Sequence, residues 1–232
     1  MIKPVFLLAI FSLSTTDFPT DAVMEKTTVA MQQSTGRYQA KDFSHLIGMK
    51  GFSDQLLNTH FKLYQGYVNN TNLLIDLLGA YVGQKTPDYQ FQALKRRFGW
   101  EFDGMRLHEY YFGNLGGKKP LPGGNQLFKQ IEKDFGSFTR WKEDFVATGM
   151  MRGIGWSILY YDPDAGRLFN TWINEHDLGH LAGGDLILVM DVWEHAYMPQ
   201  YGLNRRNYID AFFKNIEWDV VSGRMQQALL KK

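Results

Sequence analysis

From residue 60 the chain places apolar side chains at three-to-four spacing, running His60-Phe61-Lys62-Leu63-Tyr64-Gln65-Gly66-Tyr67-Val68 and on through Leu73, Leu74, Ile75, Leu77 and Leu78. That period predicts a long helix with its polar residues gathered on one side. A second helix is expected over 105–112. After it come Gly116, Gly117, Pro120, Pro122, Gly123 and Gly124, a density of breakers that no helix or strand interior tolerates, so a domain boundary is expected there. A third helix is read over 125–145 from Leu127, Phe128, Ile131, Phe135 and Phe138. The pattern then shortens to strand length. Residues 156–161 and 168–173 flank an Asp-Pro-Asp-Ala-Gly turn and read as a hairpin, and a third strand over 186–190 ends at Asp191. Helices should close the chain. The class is α+β: a helical hairpin domain over 37–120, then an α/β domain over 121–232 with a three-stranded antiparallel sheet.

The N-terminus departs from this texture. Met1-Ile2-Lys3 precedes the apolar run Val5 to Phe11, and a small-x-small site stands near Thr20-Asp21-Ala22. Residues 1–22 therefore read as a signal peptide, which implies a periplasmic or secreted protein, and 23–36 as a linker. The alternative is a cytoplasmic protein whose apolar N-terminal segment packs on the domain or lies at a membrane surface. A stable membrane span is not expected, because the run falls well short of the roughly 20 apolar residues a bilayer needs.

Composition narrows the chemistry. At 232 residues with 44% hydrophobic and 15% aromatic side chains the chain can bury a substantial core. A net charge of +1, from 25 basic and 24 acidic residues, supplies no whole-molecule field for a nucleic acid. With no cysteine, disulfides, thiolate zinc sites and a cysteine nucleophile are excluded. Ligands must come from His, Asp and Glu. There are six histidines: His45, His60, His108, His176, His180 and His195. Asp191 and His195 stand at the end of an apolar strand, where a carboxylate and an imidazole converge if the chain turns into a helix. Imidazoles with a carboxylate suit iron, manganese or zinc, and a hydrogen-bonded structural pair fits the same two residues.

The run Asp191-Val192-Trp193-Glu194-His195-Ala196-Tyr197 resembles the signature of the iron/manganese superoxide dismutases residue for residue. The segments Gly104 to Phe112 and Gly155 to Asp162 are similar to the same family, the latter to its archaeal members, and the resemblance spans roughly residues 37–225. It implies one iron or manganese ion held by His60, His108, Asp191 and His195, converting superoxide to dioxygen and hydrogen peroxide. It also implies a homodimer or tetramer in which Glu194 pairs with the partner subunit's ligand histidine. Tyr67 and His176 become the proton-handling pair, with His176 donating toward solvent on the ion and Tyr67 continuing the chain. Phe112, Trp156 and Trp193 become the apolar walls, and Arg205 an interface or anion-attracting residue. His45 and His180 read as structural.

The sequence departs from the family pattern at two places. His60 stands one residue closer to Tyr67 than the pattern has it, a difference that loss of a π-bulge in the first helix would produce. In place of the family's first-helix histidine stands Tyr64 or Leu63, and Met198 replaces the tyrosine it contacts across the seam. Two other readings remain. Two histidines and a carboxylate also describe non-haem iron oxygenases, and a non-catalytic metal-binding or structural member of the same fold would carry the same residues.

Overall fold

The computed structural model describes residues 36–84, 86 and 88–231. The expected signal peptide over 1–22 and all of the linker but Gly36 lie outside the described residues.

Helix α1, Asp54–Gly79, starts where Ser53 caps it by accepting from the Leu56 N–H at 3.1 Å. Its buried side carries Leu57, His60, Tyr64, Tyr67, Val68, Thr71 and Leu74, the helical stripe expected from the sequence. The helix is regular α throughout, so His60 and Tyr67, about two turns apart, face the same way. Helix α2, Tyr89–Gly113, is capped by Asp88, which accepts from the Phe91 N–H at 2.7 Å. It begins 16 residues before the expected start at 105. The added turns carry partly buried Phe91, Leu94, Phe98 and Phe102 at three-to-four spacing, so the apolar stripe itself runs back to the true start of the helix. Contacts from Asn70 to Glu101, Tyr64 to Glu109 and His60 to Phe112 run in opposite chain directions, which makes α1 and α2 an antiparallel pair.

The single helix expected over 125–145 is two helices, α3, Gln126–Phe135, and α4, Phe138–Gly149. Gly136 ends the first in the left-handed region at φ 84°, and Ser137 caps the second by accepting from the Arg140 N–H. The apolar residues on either side belong to both helices, which hid the break.

Strands β1, Gly155–Asp162, β2, Arg167–Asn174, and β3, Asp185–Asp191, form an antiparallel sheet in the order β2-β1-β3. The hairpin turn is held by Asp162, whose Oδ1 accepts from the Asp164 and Ala165 N–H groups. Central β1 is buried almost throughout, and its Trp156 pairs in register with Asp191 of β3. Helices α5, Glu194–Tyr201, α6, Arg205–Lys214, and α7, Trp218–Leu229, close the chain. Residues Arg37–Lys232 pack as one unit. One core, with Tyr64, Met105, Phe112, Trp156, Val189 and Phe212 in it, joins the helical pair to the sheet. No helix among the described residues is long and apolar enough to cross a membrane.

Candidate metal centre

Four elements each bring one piece of the centre. His60 lies on the buried stripe of α1 and His108 on that of α2. Asp191 is the last residue of β3, and His195 is in the first turn of α5. The turn between these two elements is built by Asp191 itself. Its Oδ1 accepts from the Trp193 N–H at 2.8 Å, and its Oδ2 faces His60 Nε2 and His195 Nε2, each at 3.2 Å. The Tyr208 hydroxyl donates to the Asp191 carbonyl at 2.6 Å and fixes the strand end. One ligand-type atom from each of His60, His108, Asp191 and His195 lies within 4.8 Å of the others.

Three of the four are enclosed, and His195 is about a quarter exposed. His108 decides what the cluster can hold. Its Nδ1 is 2.5 Å from the Gly104 carbonyl, which places the proton on Nδ1 and leaves Nε2 a bare lone pair. That Nε2 is buried and has no hydrogen-bond partner. A buried acceptor without a donor is costly unless something cationic completes it. Burial holds the His60 and His108 rings below their ordinary pKa, so both are neutral and able to ligate. Burial alone would push the Asp191 carboxyl up, but the His195 and His60 rings beside it outweigh that and keep it ionised. Three imidazole nitrogens and one carboxylate oxygen, with no sulfur, fit an iron, manganese or zinc ion.

Around the four stands a layer of hydrogen bonds and rings. Trp156 donates its indole N–H to His176 Nδ1 at 3.1 Å, and His176 Nε2 is 2.8 Å from the Tyr67 hydroxyl. Both ring nitrogens of His176 are thereby engaged. Burial pushes the His176 pKa down to about 3, and it pushes the Tyr67 hydroxyl up, with Asp191 and Glu101 adding to the rise. At neutral pH His176 is uncharged and Tyr67 keeps its proton. Phe112 meets the His60 ring edge-on at 4.9 Å, Trp156 meets His108 edge-on at 5.0 Å, and Trp193 stacks between His176 and His195 at 4.5 and 5.7 Å.

Glu194 is exposed at the start of α5, beside His195. Arg205 spends its guanidinium on the turn after α4, donating to the carbonyls of Gly149, Met151 and Gly153 and to the Tyr197 hydroxyl. Tyr64 donates to Glu109 at 3.1 Å, a buried carboxylate also paired with Lys41 and Arg106. Met198 is partly exposed. His180 holds the Tyr160 hydroxyl at 2.6 Å and the His176 carbonyl at 2.8 Å. Sequence reasoning missed Trp100, Tyr111 and Tyr208. Trp100 packs edge-on against His176 at 4.5 Å and was legible in principle, since residues 100, 104 and 108 share one helix face. Tyr111, three residues after His108, carries the same signal, while Tyr208, bonded to it at 3.1 Å, carries none.

The model for the C-terminal domain of the iron/manganese superoxide dismutases matches residues 122–224. An iron superoxide dismutase of Cupriavidus metallidurans is 37% identical over 185 residues, covering 78% of this chain and 92% of that protein. One from Pyrobaculum aerophilum is 37% identical over 177 residues, 73% and 82% of the two chains. A manganese superoxide dismutase of Haloferax volcanii is 34% identical over 182 residues, 76% and 88% of the two chains.

Proposed function

The chain belongs to the iron/manganese superoxide dismutases, and on that premise we propose that His60, His108, Asp191 and His195 hold one iron or manganese ion at which superoxide is converted to dioxygen and hydrogen peroxide. The observation that carries the ligand assignment is the convergence of four ligand atoms within 4.8 Å around a buried His108 Nε2 that nothing else satisfies. When bound, such an ion supplies the alternation between trivalent and divalent states that takes an electron from one superoxide and passes it to the next.

The chain's own residues place the protons. Trp156 donates to His176 Nδ1, so the His176 proton sits on Nε2 and is donated to the Tyr67 oxygen. That leaves the Tyr67 O–H free to donate onward, and Tyr67 is the relay's outer proton donor. His176, with its pKa near 3, is not itself a proton source at neutral pH. It stabilises the phenolate that forms when Tyr67 gives up its proton, and solvent restores that proton. Trp193, Trp156 and Phe112 exclude water from the ring nitrogens and strengthen each of these bonds. The test is dismutation by the purified protein, stripped of metal and reloaded separately with iron or manganese. Turnover with either ion supports the reading, and inactivity of both with one ion bound per chain overturns it.

The third imidazole in the cluster departs from the two-histidine, one-carboxylate set of the oxygenases, and no observation favours a non-catalytic member of the fold. We propose that Glu194, exposed beside His195, pairs with the ligand histidine of a second copy. Glu194→Gln is then expected to shift the sedimenting species from dimer or tetramer toward monomer, and an unchanged distribution counts against that pairing. Residues 1–22 are read as a signal peptide directing export, so N-terminal sequencing of the mature protein should begin near Val23.

A further inference from the structure

Among the described residues Glu175 is the one non-glycine with a positive φ, at 53°. It immediately precedes His176. A residue with a β-carbon is strained in this region, and glycine would sit there with ease. The backbone bonds at this position do not explain the choice of residue. The Glu175 N–H donates to the Ile154 carbonyl at 3.0 Å, and its own carbonyl accepts from Trp193 Nε1 at 3.3 Å. Glycine could make both. What glycine could not supply is the carboxylate, whose Oε2 accepts from Trp100 Nε1 at 3.0 Å. Glu175 thus ties two tryptophans from separate elements, Trp100 of α2 and Trp193 before α5. Both lie 4.5 Å from the His176 ring, one edge-on and one stacked. Trp100 is packed under the Arg97 guanidinium at 3.7 Å and against Tyr67 at 5.6 Å, and the bond to Glu175 is what fixes the direction of its indole N–H.

We infer that Glu175 is a positioning residue for proton delivery: by holding Trp100 with its side chain and Trp193 with its carbonyl, it fixes the His176 ring at hydrogen-bond distance from Tyr67. The inference rests on the dismutase reading for its kinetic consequence and on geometry alone for its structural one. Strain retained at a site where relief is available is the mark of a side chain in use.

Three variants test it: Glu175→Gly, which relieves the backbone and removes the carboxylate; Glu175→Gln, which keeps an acceptor; and Trp100→Phe, which keeps a ring and removes the donor. In crystals of metal-loaded Glu175→Gly, the His176 Nε2 to Tyr67 Oη separation is expected to exceed about 3.5 Å. At saturating superoxide its kcat should fall about tenfold, the scale of a small misplacement of reacting groups. KM and metal content should stay unchanged, the solvent deuterium isotope effect on kcat should rise, and the melting temperature should hold or increase. Glu175→Gln should restore kcat, and Trp100→Phe should reproduce the loss with no further loss in the double variant. A merely structural residue would move the melting temperature and leave the isotope effect alone. Parental kcat and isotope effect in Glu175→Gly, with His176 in place, overturn the inference. An inactive parental enzyme would instead overturn the dismutase reading, and the crystallographic distance would still decide whether Glu175 positions His176.

Discussion

Single residues in the centre are assigned by the company they keep. His176 and His180 lie close together in one loop, yet one is enclosed by Trp156, Trp193, Trp100 and Tyr67 while the other leans outward on Tyr160. The enclosed ring has a measurable consequence for the metal-free chain. Folded, it stays neutral down to a pH near 3, whereas in the unfolded chain it takes a proton below its ordinary 6.5. Between those values the unfolded state binds more protons, so this contribution to stability is full above 6.5 and falls as the pH drops. The slope is at most about 1.4 kcal/mol per pH unit. Urea unfolding of the metal-free protein at pH 7 and pH 5 should therefore show a drop that is smaller in His176→Gln by about 2 kcal/mol. Equal drops would mean that the ring titrates in the fold as it does in water.

At the scale of elements, the antiparallel α1/α2 pair works because one side of each helix is shared between packing and chemistry. At Gly104 the Tyr67 ring of α1 packs directly on the backbone of α2. A β-carbon there would lie 2.7 Å from the Tyr67 ring, below any real contact distance. Gly104→Ala must displace Tyr67 or push the helices apart, at a cost of about 1–3 kcal/mol. A lowered melting temperature together with reduced turnover at full metal occupancy is the expected result. Unchanged values would show that the pair yields freely at this point. The sheet contributes differently, by register. Pairing of Trp156 with Asp191 sets an indole and a carboxylate on the same side of the sheet, and the Asp191-to-Trp193 turn then swings His195 back onto the same oxygen.

For the whole molecule, the four ligand residues come from two helices, a strand end and a following helix, and all must be folded before their atoms meet. A bound ion therefore reports on global stability, since it binds the folded chain and not the unfolded one. Reloading the stripped protein with iron or manganese at a thousandfold excess over its dissociation constant should add about 4 kcal/mol and raise the melting temperature in calorimetry. An unchanged transition would mean that the site does not hold metal in the folded state. Much of this was legible beforehand. The helical stripe of α1 follows from periodicity, because burial on one side imposes the period on the sequence itself, and the strands follow from short apolar runs bounded by turn residues, β1 and β3 being buried along most of their length. The Asp191 to Tyr197 run pointed to the family because its chemistry is local. The break at Gly136 was not legible, since apolar residues on both sides of a break look continuous, whereas Phe91, Leu94 and Phe98 already marked the earlier start of α2. What the sequence by itself determined is the set of elements and the kinds of ligand available. Only the tertiary structure decided that His108 Nε2 is left without a partner, that His176 spends both nitrogens on Trp156 and Tyr67, and that Glu175 is strained to reach Trp100. Each of those facts depends on atoms brought together from distant parts of the chain, and one-dimensional spacing carries no record of such distances.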